Sequence, residues 1–291
     1  MNQNFVIIIP TYNRPLFLKR LLNDINNQTV KPYYIVIVDA SESNMTKKVV
    51  DDTVEIQTKY INVDNGKYWT GSVNEGLSFV TSNLKSIDAV ILLNDDTRIK
   101  EDYVECFAKL SLKHKNTLIG SANIDINDKS TILWAGNNTN NWFAFTKKYL
   151  VNQSIYDVNV HKVINSFTLI GRGLFIPIEV FDSIGFFDEI HFKHRGDTEF
   201  PLRAKNYGYQ LIVSLLPVVY TYPAYTYQFE KGKLRLKDFP KVFFDFRSSS
   251  NIQTRYYYAK SATSNIFQCI IFFTFQMMAH FRRFFIRMLK H

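Results

Sequence analysis

The sequence predicts an α/β fold: an open mixed sheet, mainly parallel, with helices on both faces, followed by a helical, basic and aromatic C-terminal extension. Three observations carry this. Apolar, β-branched runs alternate along the chain with segments whose apolar residues recur at helical spacing. Polar residues fall where those runs end, at Thr11, Asp39 and Asp96, and open α/β sheets bind ligands at such strand ends. The charge is also uneven: residues 231–291 carry 12 Lys/Arg and 2 Asp/Glu, whereas residues 1–230 carry 23 and 24.

Taken in order, Phe5–Ile9 is a strand closed by Pro10. It lacks a basic flank and a cleavage site, so it reads as core rather than as a signal peptide. Leu18, Leu21, Leu22 and Ile25 give Arg14–Asn26 a helical stripe. Tyr34–Val38 is a second strand ending in Asp39. Leu77–Leu84 is a short helix, Ala89–Leu93 a third strand running into Asn94-Asp95-Asp96, and Asp102–Leu112 another helix. Residues 121–165 are rich in Asn and carry Trp134 and Trp142; periodicity leaves them unplaced. Ile164–Ile176 reads as a strand interrupted at Gly171-Arg172-Gly173. A short helix follows over Val180–Gly185, then Thr198–Tyr207 as a helix ended by Gly208, then a strand over Leu211–Tyr220. The expected division is a domain over 1–230 and an extension over 231–291.

In that extension Ile266–Ala279 is nearly apolar and is followed by HFRRFFIRMLKH. The apolar run falls short of the ~20 residues of a spanning helix. It predicts an interfacial helix with Arg282, Arg283, Arg287 and Lys290 toward phosphates; the alternative is a helix packed on the domain with a solvated basic face. At 46% apolar residues over 291, the chain can bury a large core, which excludes global disorder. Cys106 and Cys269 lie far apart, which excludes a disulfide framework and suits a reducing compartment.

Several residues are suited to chemistry. Asp95 and Asp96, adjacent at a strand end, offer the oxygens a hard divalent cation takes, although acidic turns after strands are common. Asp39 can accept from a base or ribose, or act as a turn residue. Asn65-Gly66, Gly71, Asn74 and Gly76 allow close backbone approach and amide contacts to hydroxyls, or form a simple loop; the phosphate-loop pattern is absent. Asp197, at the start of a helix with Glu199 behind it, can take a proton from a hydroxyl or serve as an N-cap. His191 and His194 flank Lys193 and can reach a phosphate or sit solvated.

In order, these pieces resemble the inverting glycosyltransferase family 2, with its GT-A (Rossmann-like) fold, over about residues 4–225. VIIIPTYNRPLFLKRLLNDINNQT is similar to that family's first strand, loop and helix. IVIVDAS is similar to its nucleotide-binding strand end, DNGKYWTGSVNEGL to its Asn-Gly…Asn-x-Gly segment, VILLNDDT to its Asp-x-Asp site, and IGFFDEIHFKHRGDTEFPLRAKNYGY to its base motif and the helix behind it. The resemblance implies that Pro10, Thr11, Tyr12 and Arg14 lie beside the nucleotide and that Asp39 contacts the base. It puts Asn65, Gly66, Trp69 and Asn74 near the donor, Asp95 on the donor or behind the metal, and Arg172 near the diphosphate. Asp96 is then the metal ligand, for Mn²⁺ or Mg²⁺, and Asp197 the general base. The chain departs from the pattern in three places. Asn94 replaces the first acid of the metal motif, Gly196 replaces the acid usual before the base, and VVYTYPAYTY has no histidine to complete the metal site.

The implied function is transfer of a sugar from a UDP- or dTDP-sugar to a glycan or lipid-linked acceptor of a surface polysaccharide, such as lipopolysaccharide or capsule. The implied location is the cytoplasmic face of the cell membrane, held there peripherally by the tail. Three rival readings are a nucleotidyltransferase, a sugar-binding protein without catalysis, and a nucleic-acid-binding protein that uses the basic tail. PTYNRPLF is not the Gly-rich basic loop of the first. Asp96 with Asp197 argues against the second. The apolar run beside the tail's bases suits lipid rather than nucleic acid.

Overall fold

The structure is a computed structural model that describes residues 3–222 and 234–289. The chain opens by alternating strand and helix: β1 (Phe5–Thr11), α1 (Pro15–Asn26), β2 (Tyr34–Asp39), α2 (Met45–Thr53), β3 (Thr58–Asn62), α3 (Tyr68–Asn83) and β4 (Ala89–Leu92), with α2 and β3 added to the elements expected. β2 and β4 flank β1, both parallel to it, and β3 joins outside β2. The chain thus leaves β1 in one direction and later returns on its other side. That makes β1 a switch point, with a crevice at the carboxyl ends of β1, β2 and β4. Every residue of β1 is buried, as a central strand covered on both faces must be. Its period of two sends Val6 and Ile8 into one core with Val73 and Leu77 of α3. Phe5, Ile7 and Ile9 enter the opposite core with Leu18, Leu21 and Leu22 of α1.

Beyond β5 (Thr97–Ile99) and α4 (Tyr103–Lys113) the sheet becomes mixed. The stretch left unplaced by periodicity supplies most of β6 (Thr117–Asp125) and all of β7 (Ile132–Trp134), β8 (Asn137–Thr139) and β9 (Thr146–Lys148), and β10 (Ile164–Asn165) follows. β11 (Leu174–Pro177) lies antiparallel between β4 and β6. Next come α5 (Glu179–Ile184), α6 (Gly196–Asn206) and β12 (Gln210–Thr221), which is parallel to β6. The strand order is β10-β12-β6-β11-β4-β1-β2-β3, with β5 on β12 and β7 on β6; β8 and β9 form a separate hairpin.

Three expectations change. The helix expected over Leu77–Leu84 begins at Tyr68, so Gly71, Asn74 and Gly76 are helical rather than in a loop. Gly76 explains how this is tolerated: a Cβ there would stand 2.8 Å from Ile8 Cγ2 and 3.2 Å from Val38 Cγ2. The helix lies close on the sheet, and burial of Val73, Leu77 and Val80 outweighs the cost of about 1 kcal/mol for a helical glycine. The single strand expected over Ile164–Ile176 is two strands that are not neighbours, β10 against β12 and β11 between β4 and β6. Gly173, at φ +82°, belongs to the loop between them. The apolar run over Ile266–Ala279, expected to fall short of a spanning length, is part of a longer helix.

The extension forms α7 (Phe239–Phe244), α8 (Ile252–Ala262) and α9 (Ile266–Leu289). α9 is one helix of 24 residues, because the Phe, Arg and Met residues after His280 are as helix-compatible as the run before it. It is long and apolar enough by length and composition to cross a membrane, and 28% of its most apolar window is buried. The buried side carries Phe272, Met277 and Phe284, which pack with Phe243 of α7 and with α8. α8 docks on α6: Asn206 Nδ2 donates to the Ser261 carbonyl (2.8 Å) and Ser261 Oγ to Glu199 Oε1 (2.7 Å). The expected boundary at 230/231 and Lys290 lie outside the described residues.

Candidate active site

The site is built at the carboxyl ends of β1 and β4. β4 runs straight into Asn94-Asp95-Asp96, and the turn buries both acids, at 4% and 8% exposure. Thr11, at the end of β1, donates from Oγ1 to Asp95 Oδ2 (2.7 Å). Arg14 Nη1 reaches both Asp95 Oδ1 (3.3 Å) and Asp96 Oδ2 (3.1 Å). Burial pushes the Asp95 carboxyl up to about 6; Arg14 opposes this and Asp96 adds to it. Asn94, which stands where the resemblance expects an acid, accepts from Trp69 Nε1 at 3.0 Å.

Asp96 Oδ1 is buried with no hydrogen-bond partner. An orphaned carboxylate oxygen beside a second carboxylate fits a divalent cation. Among the described residues no group of three or more His, Cys, Asp or Glu converges, so such a cation would draw its other ligands from a diphosphate and water.

Asp197 stands in the first turn of α6, just after Arg195, whose backbone is left-handed at φ 72°. Its Oδ2 accepts from the Gly171 amide at 2.7 Å. Gly171 has no room for a side chain, since a Cβ would lie 2.6 Å from Trp69 Cζ2 and 3.1 Å from Asp197 Cβ. Burial raises the Asp197 carboxyl above the ordinary aspartate range, and the Gly171 amide, Arg195 and Arg172 pull against it. Desolvation of this kind holds a proton acceptor nearer to its working range.

Two adjoining cavities surround these groups. One, of about 610 Å³, is lined by Pro10, Thr11, Tyr12, Arg14, Asn65 and Asp95, among others. The other, of about 790 Å³, has Asn123, Trp134, Lys148, Arg172 and Asp197 in its wall. Trp69, Asn94, His194 and Arg247 line both. The first cavity lies at the switch point, where open α/β sheets take nucleotides; the second holds Asp197.

Asp39, Gly66 and Asn74 do not line either cavity. Asp39 is fully buried, and its carboxylate accepts from Ser41 N (2.9 Å), Ser41 Oγ (2.5 Å) and Tyr60 OH (2.7 Å), leaving Ala40 at the wall. Asn74 clamps the chain before α6, donating to the Phe187 carbonyl (2.9 Å) and accepting from its amide (3.1 Å). The Gly66 amide donates to Asp64 Oδ1 at 2.7 Å. Asp96 also stands behind Asp95 rather than on the first cavity's wall.

Two more residues stand in both walls: His194, which the sequence offers as a phosphate contact or a solvated residue, and Arg247, which sequence reasoning does not single out. His194 lies between Tyr68 (ring centroids 5.1 Å) and Phe246 (6.0 Å); burial lowers its pKa, and Arg195 and Arg247 lower it further. Arg247 comes from the extension, and among the described residues it makes no salt bridge. Its guanidinium lies over the Phe246 ring, 5.3 Å from the centroid. The basic-aromatic alternation around it is the only local signal. His191, by contrast, is spent on Asp188 (2.7 Å) and stacks on Tyr257.

The sequence profile "Glycosyl transferase family 2" matches residues 6–177. The dTDP-rhamnosyl transferase RfbF of Shigella flexneri is 27% identical over 219 residues, covering 75% of this chain and 68% of that protein. The uncharacterized glycosyltransferase YwdF of Bacillus subtilis (strain 168) is 27% identical over 200 residues, covering 68% and 66%. The structure of S. aureus TarS 1-349 in complex with UDP-GlcNAc superposes at TM-score 0.59 and 16% identity, over 97% of this chain and 73% of that one. GalNAc-T7 with UDP, GalNAc and Mn²⁺ gives 0.59 at 14% identity, over 88% and 50%. The chain spans about two thirds of the length of the curated relatives and 37% of a longer TarS chain. At these identities the solved structures speak to the fold, which is GT-A. With the profile covering more than half of its length, the chain belongs to glycosyl transferase family 2.

Proposed function

We propose that this glycosyltransferase moves a sugar, with inversion, from a nucleoside-diphosphate sugar to a hydroxyl of a glycan acceptor. The observation that carries the reading is the pair of adjoining cavities. A half-buried carboxylate, Asp197, lines one, a strand-end crevice suited to a nucleotide forms the other, and Trp69, Asn94, His194 and Arg247 are common to both. The acceptor oxygen attacks the anomeric carbon, the bond from that carbon to the diphosphate breaks, and Asp197 takes the hydroxyl proton. Its Oδ2 is held by Gly171, which leaves Oδ1 for the acceptor. Attack opposite the leaving group inverts the anomeric centre. Arg247 and His194 are placed to meet the departing diphosphate. Asp96, with Asp95, would hold Mn²⁺ or Mg²⁺, which when bound neutralises charge on the leaving group.

A UDP- or dTDP-sugar is the donor class, supported by the likeness to TarS, solved with UDP-GlcNAc, and to RfbF, a dTDP-rhamnosyl transferase. The acceptor is a lipid-linked glycan of a bacterial surface polysaccharide, reached at the cytoplasmic face of the membrane. The uneven charge and α9 support that location.

Donor turnover across a panel of nucleotide sugars, with Mn²⁺, Mg²⁺ or EDTA, tests the reading. The expected result is release of a nucleoside diphosphate from one donor. Asp197→Asn should lower the rate by about 10²–10⁴ in folded protein. Near-normal turnover in that variant removes Asp197 from its role.

A further inference from the structure

The mechanism leaves one surface unused. α9 shows its outer side to solvent, with Phe267, Ile270, Met278, Phe285 and Leu289 all at least half exposed. Successive spacings of three, eight, seven and four residues set them on a single stripe. A helix of 24 residues makes that stripe about 36 Å long. Arg282 and Arg283 are exposed toward its C-terminal half.

The stripe does not stand alone. The tip of the β8–β9 hairpin carries Trp142, Phe143 and Phe145, exposed by 39%, 44% and 69%. The Asn140 carboxamide, accepting from the amides of Trp142 and Phe143 (both 2.9 Å), holds the tip in shape. Trp142 meets Phe267 edge-on at 6.3 Å, and Phe143 meets Phe275 at 5.1 Å. Ala144 anchors the tip in the small core formed with α8 and α9. Two elements more than a hundred residues apart therefore make one continuous aromatic and aliphatic face, larger than a solitary exposed side chain needs explaining for. Lys147 and Lys148 are exposed on the same hairpin, and Lys148 lines the Asp197 cavity.

We infer that the β8–β9 tip and the outer stripe of α9 together form a face that enters the surface of an anionic lipid bilayer, with the acceptor cavity opening at its edge beside Lys148. The charge selects this occupant. Apolar stripes flanked by bases partition into interfaces that carry anionic headgroups, and pairing two copies of the face would bring Arg282, Arg283 and Lys147 against like charges. The buried side of α9 stays on α7 and α8, so the helix lies in the interface and does not cross it. An acceptor anchored in the same bilayer would then present its hydroxyl to Asp197 without leaving the lipid; that clause rests on the transfer reading above, whereas the lipid face does not.

The test uses the full chain with phosphatidylglycerol vesicles, some carrying brominated acyl chains. Wild type should co-float with the vesicles, and its tryptophan emission should be quenched by bromine, with the quenching lost in Trp142→Phe. Phe143→Ser/Phe145→Ser should weaken partitioning by about tenfold or more while donor hydrolysis in solution is unchanged. Equal partitioning of that double variant, or no Trp142-dependent quenching, overturns the inference. So does a lipid-free dimer, seen by sedimentation, that the double variant abolishes. Hydrolysis without vesicle binding sinks the lipid face alone; vesicle binding without turnover of any donor sustains the face and sinks the transfer reading.

Discussion

Asp197 and Arg247 show how single side chains take their properties from distant parts of the chain. Asp197 is raised above the ordinary aspartate range, about 3.9, because it is buried, with the Gly171 amide and two arginines only partly offsetting this. A base works ionised. Activity should therefore fall, as pH drops, through a pKa higher than that of an exposed aspartate, and the acid limb of a kcat profile reads it. A limb at the ordinary aspartate value would mean that Asp197 is solvated in the working enzyme. Arg247 faces both cavities without a carboxylate partner among the described residues. Removing a cation from a charge-assisted contact costs about 1.5–3 kcal/mol. Arg247→Ala should thus lower kcat/KM for the donor about 10- to 100-fold, with partial recovery in Arg247→Lys. Unchanged donor kinetics would take Arg247 out of the diphosphate site. Only the basic-aromatic alternation around it marks Arg247, whereas Asp197 stands out in the sequence by its place at the start of a helix.

At the scale of elements, close seating of helices on the sheet decides what is tolerated. α3 carries two glycines, against helix propensity, because β1 and β2 press against it at Gly76. Gly76→Ala gains helix propensity but drives a methyl into Ile8 and Val38, both wholly buried. Overpacking of about 1–3 kcal/mol outweighs the gain, so urea denaturation should find the variant less stable; a more stable variant would mean that α3 stands off the sheet. The same helix aims Trp69 at Asn94 and uses Asn74 to clamp the chain before α6. Sequence reasoning expected Asn74 at the donor, because an exposed amide in a loop suits a sugar. Inside a helix facing Phe187, its hydrogen bonds go to backbone that would otherwise be unpaired. β3 and β7 were illegible for a similar reason. They are short and partly exposed, and their register is set by β2 and β6 rather than by their own periodicity.

For the whole molecule, the charge asymmetry is also an asymmetry of surface. The extension docks on α6 through Ser261 and Glu199, delivers Arg247 to the two cavities, and shows its apolar stripe outward. On the inference of a lipid face, lipid binding and shaping of the site belong to the same C-terminal segment, which α8 holds in place. Each base near an anionic surface adds about 1 kcal/mol, so Arg282→Glu/Arg283→Glu should weaken partitioning into anionic vesicles by about 30-fold or more, with a shallower salt dependence. Neutral vesicles should be much less affected. Equal loss on both lipid types would assign the two arginines a structural role instead.

The sequence by itself determined the alternation of strands and helices, the acidic turn after β4, the carboxylate at the start of α6 and the basic, apolar character of the tail. These are local patterns: period two or 3.6, a strand end, a helix start, a run of charge. Tertiary structure alone decided that Asp39 is braced by Tyr60 and Ser41 away from the cavity, that His194 and Arg247 stand in its wall, and that Trp142 meets Phe267. Each of these depends on contacts between residues far apart in the chain, and such contacts follow from how the elements pack, which no window of sequence contains.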